Sequence, residues 1–464
     1  MEVAIIRDSI LIRYYKSVSR MGHRCNRMGS FVGLAVAICA TCVGISSHAQ
    51  NPQKLSVQDR ALARTMLSDV AESARKHYYD ATLRGLDWPA LVNQTKAQID
   101  SAPDLATANA EIEALLEKLH DSHTFFVPPR SVASVDYGWN FQLIGNRCYV
   151  TRVKAGSDAA RQGIKPGDEV LTINGFTVER ASAARLQYAL YTIPRPVLHL
   201  YTRDLAGKVH RLDVASIVKP FTHTPYAPEI ERWRETLSSE EFTDQLGPEI
   251  KDLGPQLLVI KLPLFAQLGG DVDSVLKKAC RHDALIVDLR GNGGGREDSV
   301  LRYLDDVLPS EAKVADVISR EKPHALTAKP NTRDGYTGKL IVLVDSRSAS
   351  SAEIFARTVQ LRGRAKILGD VSSGHTMEAQ HDVFFDQGPL RAVYFVSVTV
   401  GDLIMPDGHS LEGVGVTPDE ILLPTAADLA NGRDPVMAQA AALAGVTLTP
   451  EMAGKLFPEN TELH

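Results

Sequence analysis

The sequence predicts an α/β core preceded by a helical segment and an inserted β-rich module, and three patterns carry that prediction. Between 255 and 425, short continuous apolar runs alternate with helical stretches, as in a largely parallel sheet covered on both faces. From 134 to 217, short strands and tight turns replace that rhythm. From 55 to 120, apolar residues recur at helical spacing. The composition agrees: 464 residues, 44% hydrophobic and 23% charged, have room for two or three domains and exclude disordered, collagen-like and disulfide-scaffold classes. Lys and Arg total 51 against 56 Asp and Glu, a net charge of −5, so no basic surface for nucleic acid is expected.

Residues 1–49 read as a signal peptide outside the fold. Six basic residues from Arg7 to Arg27 precede an apolar run from Phe31 to Ile45, and Ser47-His48-Ala49 supplies a small-x-Ala cleavage pattern. The run falls short of the ~20 apolar residues that span a bilayer. Export to the periplasm or the medium follows, with no stable membrane insertion after cleavage. Cys39 and Cys42 lie inside this leader, which leaves Cys148 and Cys280, expected as two buried free thiols.

In the helical segment, Asp104 is a plausible N-cap for a helix whose apolar face is Ile112, Leu115, Leu116 and Leu119. That helix is expected to end at Asp121-Ser122-His123, before a short strand, Thr124 to Val127, stopped by Pro128-Pro129. In the β-rich module, Gly163 to Asp168 is a tight-turn sequence. A strand from Glu169 to Ile173 follows it and runs into the Asn174-Gly175 hairpin signal. A polar stretch at 218–254 reads as a linker with some helix. The core strands are Ala284–Leu289, Leu340–Val344, Ala365–Leu368 and Tyr394–Val400, with helices at 298–308 and 351–362, and 426–464 reads as a small helical tail.

Two strand ends carry loops suited to chemistry. Asp288 to Gly295 places three consecutive glycines after a buried strand, which leaves backbone N–H groups free to approach an anion, a phosphate or an oxyanion. Arg296 stands where a dinucleotide fingerprint needs its third glycine. Asp345 to Glu353 is rich in small residues between a strand and a helix; it reads either as a Ser-rich N-cap or as a tight turn presenting a nucleophile to a helix N-terminus. A serine nucleophile needs a base, and His123 and His375 are both candidates. No metal-binding spacing of Cys and His occurs in the mature chain.

With these residues in view, the chain from about 55 to 425 resembles the tail-specific, or C-terminal processing, serine proteases and the related tricorn-core peptidases. The stretch Val153 to Asp168 and Ile173-Asn174-Gly175 resemble a PDZ domain, with Gly138, Trp139, Asn140 and Phe141 at the position that binds a peptide carboxylate. Asp288 to Gly295 is similar to the family's Asp-x-Arg-x-Asn-Gly-Gly-Gly loop, which implies an oxyanion N–H from Gly293 or Gly294. Ser348 to Glu353 is similar to the nucleophile segment, which implies Ser350 as nucleophile and Ser351 as the second oxyanion donor. Bacterial processing members use a Lys 25 residues after the serine, where this chain has His375. Tricorn-like members use a Ser-His pair ahead of the PDZ domain and a Glu in the closing motif, and Ser122, His123 and Glu412 stand there.

The resemblance therefore implies a Ser350-His123-Ser122-Glu412 tetrad, with His375 as the alternative base. It also implies a tail-specific protease, crotonase-like, α/β core. The domains expected are a signal peptide 1–49, a helical segment 50–133 carrying the histidine, a PDZ domain 134–217, a linker 218–254, a peptidase core 255–425 and a helical tail 426–464. The function expected is an exported serine endopeptidase cleaving peptides or protein C-terminal regions without a cofactor; the alternative is an inactive PDZ-containing peptide-binding scaffold.

Overall fold

The computed structural model describes residues 55–457, apart from 130–132, 181, 184–185, 187–188, 191–194, 221–246, 267–268, 331–334 and 387–391. The leader, and most of the stretch expected as a linker, therefore lie outside the described residues. Among the described residues no helix is long and apolar enough to cross a membrane.

Helices α1 (Val57–His77), α2 (Trp88–Ser101) and α3 (Leu105–Leu116) open the chain. Each starts on a side-chain cap: Ser56, Asp87 and Asp104 accept N–H groups from the first turn, so orphan donors are met locally. The third ends earlier than its apolar spacing suggests. It tightens to a 3-10 turn over Glu117–Leu119, and His120 adopts a left-handed φ of 52° that stops it. Strand β1 (Phe125–Val127) follows.

Strands β2 (Ala133–Asp136), β3 (Trp139–Ile144), β4 (Arg147–Val153), β5 (Glu169–Ile173), β6 (Phe176–Thr177), β7 (Val197–Arg203), β8 (Val209–Ala215) and β9 (Ile217–Pro220) build the inserted module. Its sheet runs in the order β3-β4-β5-β7-β8, with β6 turned back on β5. Asn174 and Gly175 have φ of 52° and 85°, as a type I′ hairpin requires. The module has its own core around Val150, Ile164, Val170, Ile173 and Leu200. β2 pairs antiparallel with β9, so the chain enters and leaves the module along one two-stranded ribbon.

The central sheet has the order β10 (Glu249–Asp252), β11 (Leu257–Lys261), β12 (Ala284–Asp288), β15 (Lys339–Val344), β16 (Ala365–Gly369), β19 (Glu420–Ile421) and is parallel except for β10. β10 lies inside the stretch expected as a linker, whose polar composition suits an edge strand with one partner. Side chains alternate between two cores. Leu258, Ile260, Leu285, Val287, Leu340 and Val342 face the helices α5 (Gly269–Ala279), α6 (Glu297–Val307) and α7 (Ser351–Leu361). Leu257, Val259, Ile286, Ile341 and Leu343 face the other way, against Val436, Met437, Ala440 and Ala453. Those four belong to α9 (Pro435–Leu443) and α10 (Pro450–Ala453), which follow the short α8 (Ala426–Ala430). The expected small tail is thus the second layer over the central sheet, because a parallel sheet needs both faces covered.

A second correction concerns Tyr394–Val400. This run is part of β18 (Val393–Ile404), which belongs to a separate antiparallel sheet with β1, β13 (Ala312–Ser319), β14 (His324–Ala328) and β17 (Met377–Phe385). Its Tyr394, Val396 and Val398 pack on α1–α3, and Val317, Leu326 and Leu403 of the same sheet join the central core. Burial on both faces makes such a strand read like a parallel one. Cys148 is buried as expected, but Cys280 is exposed.

Candidate active site

β15 ends at Val344, and a turn through Ser350 enters α7. The turn is held from several sides. Ser348 Oγ donates to Leu289 O at 2.8 Å, Ala349 N–H to Asn292 O at 2.9 Å, and Ser350 N–H reaches His375 O at 2.8 Å and Glu353 Oε2 at 3.0 Å. Ser350 occupies the N-cap position with φ 54° and ψ −117°, a conformation costly to a residue with a side chain. Its side chain is buried, yet Oγ makes no hydrogen bond, so the residue does not serve as an ordinary cap. Glu353 makes the reciprocal bond, its carboxylate accepting the N–H of Ser350 itself. A strained, unpartnered hydroxyl at a strand-to-helix turn is an arrangement suited to a nucleophile.

The glycine loop lies against this turn. A Cβ on Gly294, whose φ is +114°, would come within 2.6 Å of Ser350 Cβ, so only glycine permits the approach. Asn292 is buried and braces the loop: its Nδ2 donates to Leu262 O at 2.8 Å and its Oδ1 accepts the Gly294 N–H at 2.8 Å. Of the two glycines expected as oxyanion donors, Gly294 therefore spends its N–H inside the loop. The N–H groups of Gly293 and Ser351 have no partner among the described residues. Ser351 Oγ ties the helix start to Gly295 O at 3.0 Å.

His123 approaches from the helical segment. Neighbouring side chains on an extended strand point apart, but Asp121 bends the chain here: its Oδ1 accepts the N–H groups of His123 at 3.0 Å and Thr124 at 2.7 Å, and the Thr399 hydroxyl at 2.6 Å. The bend turns Ser122 and His123 to a common side. Ser122 Oγ lies 2.8 Å from His123 Nδ1 and donates to Glu412 Oε2 at 2.9 Å, while the Ser122 N–H donates to Glu412 Oε1 at 2.7 Å. Glu412, Ser122 and His123 thus form one hydrogen-bonded chain. His123 makes no hydrogen bond to Ser350 Oγ. Burial pushes the His123 imidazole well below its ordinary pKa, with neighbouring His375 and His381 acting in the same sense, and burial pushes the Glu412 carboxyl up to about 7 against the hydrogen bonds it accepts.

His375 enters this neighbourhood through its backbone, its carbonyl accepting from Ser350 and its N–H donating to Glu353 Oε2 at 2.9 Å. The residue that sequence reasoning passed over is Glu353. Fully buried, it also accepts Ser372 Oγ at 2.6 Å, Gly374 N–H at 2.7 Å and Thr376 Oγ1 at 2.8 Å, and so fastens the 372–376 loop to the serine turn. Its place three residues after Ser350, the capping-box spacing, was the available signal.

In the inserted module, the Gly138 N–H donates to Asp136 Oδ1 at 2.9 Å, and Asp136 in turn pairs with Lys154 at 2.7 Å. Trp139 is buried with its ring 5.6 Å from that of Phe141, and Asn140 is exposed. The backbone carbonyls of Phe141 and Leu143 accept from Arg347 and Ser346 of the turn before Ser350. The edge of β3 is thereby in contact with the serine turn, and the proposed peptide-binding residues sit beside it.

Among the described residues no group of three or more His, Cys, Asp or Glu is placed to hold a metal ion. Residues 256–422 match the model of peptidase family S41, and residues 132–202 match that of the PDZ domain. The chain is 23% identical over 434 residues to carboxyl-terminal-processing peptidase 3, chloroplastic, of Arabidopsis thaliana, covering 86% of this chain and 77% of the relative. It is 21% identical over 326 residues to a probable CtpA-like serine protease of Staphylococcus aureus, covering 67% of this chain and 59% of that relative, less than two thirds of its length. The crystal structure of mature CPAF shares the fold at a TM-score of 0.61 and 15% identity, over 80% of this chain and 94% of that one.

Proposed function

The chain belongs to the serine peptidases of family S41 and carries a PDZ domain ahead of its core, and from that premise we propose that it is an exported endopeptidase cleaving peptides or the C-terminal regions of proteins through Ser350, His123, Ser122 and Glu412. The observation that supports this reading best is the unbroken chain from Glu412 through Ser122 to His123 Nδ1. With Nδ1 engaged, Nε2 of His123 is left for proton transfer. His123 takes the Ser350 proton as Oγ attacks the peptide carbonyl, and returns it to the leaving amine. Glu412, acting through Ser122, stabilises the imidazolium formed between those steps. The free N–H groups of Gly293 and Ser351 receive the oxyanion. The core is read as crotonase-like, and the basic and apolar leader of residues 1–49 supports export. The C-terminal target follows the name of the Arabidopsis thaliana relative, a carboxyl-terminal-processing peptidase.

The scaffold reading draws on one observation, the missing hydrogen bond between Ser350 Oγ and His123. Such bonds are often long before substrate binds. Labelling of the folded mature chain with a fluorophosphonate, followed by mass spectrometry, decides between them. The adduct is expected on Ser350, lost in His123→Ala and retained in His375→Ala. The reverse pattern moves the base to His375, and an unlabelled wild type supports the scaffold.

A further inference from the structure

A cleft of about 440 Å³ opens beside the serine turn. One wall is Gly295, which follows the glycine packed on Ser350 and whose carbonyl holds Ser351; another is Ile354, one turn along α7. Its lining also includes His381, an electrostatic neighbour of His123. The cleft therefore adjoins the glycine loop and shares His381 with the surroundings of His123. Its floor is apolar, formed by the buried side chains of Val317, Leu326, Ile354 and Leu403.

The mouth has a different chemistry. Glu297 and Glu378 line it, both half-buried, and neither makes a salt bridge or side-chain hydrogen bond among the described residues. Burial and the nearby Glu378 push the Glu297 carboxyl up, with His324 and Asp298 as its other charged neighbours. Arg296 adds no free positive charge, because both its Nε and Nη2 are held by Asp298 at 2.9 and 2.6 Å. His381 is neutral, since burial pushes its pKa down to about 3. The cleft thus pairs an apolar floor with two carboxylates that no salt bridge among the described residues neutralises.

We propose that this cleft receives a lysine or arginine side chain of the substrate next to the scissile bond, its methylene stem on the apolar floor and its cation between Glu297 and Glu378. The proposal rests on the peptidase reading above. A long basic side chain is the residue type that meets both surfaces at once, its stem desolvated and its head charged, and the opposed charges give the site discrimination against apolar and acidic residues.

The test is digestion of an unfolded protein mixture by the mature enzyme, with the new termini read by mass spectrometry, for wild type, the double variant Glu297→Gln/Glu378→Gln and Glu378→Lys. Wild type is expected to cut next to Lys or Arg roughly tenfold more often than next to Leu or Met, the ratio that one favourable, partly desolvated charge contact supplies. In the double variant that ratio falls toward one, and in Glu378→Lys, where the new cation is neutralised by Glu297, it falls likewise. Cuts without basic enrichment in wild type, or enrichment that persists in the double variant, overturn the proposal and leave the peptidase reading standing. No cuts by wild type take down that reading, and the proposal with it.

Discussion

At the scale of single residues, the site's pH response is set by two opposite burial effects. In the proposed mechanism His123 acts as a base only when neutral, and burial, by lowering its pKa, favours that form. In the same mechanism Glu412 stabilises the imidazolium only when ionised, and burial pushes its carboxyl up to about 7. Activity is therefore expected to fall as pH drops through about 7, on a limb belonging to Glu412. In Glu412→Gln, kcat/KM at pH 8 should fall about a hundredfold, the scale of losing an orienting carboxylate or oxyanion-type contact, and the limb near 7 should vanish from the pH–rate profile. A limb unchanged in the variant would assign it elsewhere. The strained φ of Ser350 makes a separate prediction. Ser350→Gly and Ser350→Ala are both expected to be inactive, but the glycine variant is expected to be more stable than the alanine one by about 1 kcal/mol in denaturant unfolding, because it relieves the conformation that alanine retains.

At the scale of elements, the serine turn is a junction of the loops that follow β12, β15 and β16, and Glu353 is its fastener. A buried carboxylate accepting from Ser350, Ser372, Gly374, His375 and Thr376 leaves several donors unpaired when it is removed. Glu353→Ala is expected to cost about 3 kcal/mol or more, since each orphaned buried donor costs about 1–3 kcal/mol and the losses overlap. Chemical denaturation measures this, and a cost under 1 kcal/mol would mean that water replaces the carboxylate. The glycine loop is equally constrained. Gly294→Ala drives a methyl group into Ser350, so fluorophosphonate labelling is expected to drop at least a hundredfold, the scale of losing oxyanion and nucleophile alignment. Labelling at the wild-type rate would show that the loop can retreat.

At the scale of the whole molecule, the last helices belong to the site's support. Arg290 of the glycine loop bonds Asp288 and also Asp434, the residue that caps α9. Those helices cover one face of the central sheet. A chain ending at 425 would expose that face and leave Arg290 without Asp434, and is expected to be insoluble or to bind hydrophobic dye strongly. A soluble, cooperatively unfolding truncated chain would contradict this. The inserted module is attached as firmly: Arg180 reaches Gly145 O, Val371 O and Asp370, and Gln142 donates to Asp345 at 2.7 Å. The Gln142 contact falls on the turn that leads to Ser350 and those of Arg180 with Val371 and Asp370 on the segment after β16, so module and serine are neighbours in structure.

What local sequence determined was each element's burial pattern and the loops able to hold an anion or a nucleophile. Three glycines after Asp288 to Asn292, small residues around Ser350 and an N-cap at Asp104 are legible because each is a constraint satisfied within a few residues. Only the tertiary structure decided which surfaces meet. The run at Tyr394 is apolar on both faces, which says that it is covered twice and not by what; pairing of Phe125 with Ser397 in β1 and β18 assigned it to the antiparallel sheet and carried Ser122 and His123 toward the 399–412 segment. Gly293 and Gly294 have the same type of N–H, and Asn292 alone distinguishes them. Glu353 and the Glu297–Glu378 cleft stayed hidden for the same reason: a carboxylate's role depends on the donors and counter-ions around it, and here those come from segments far apart in the chain.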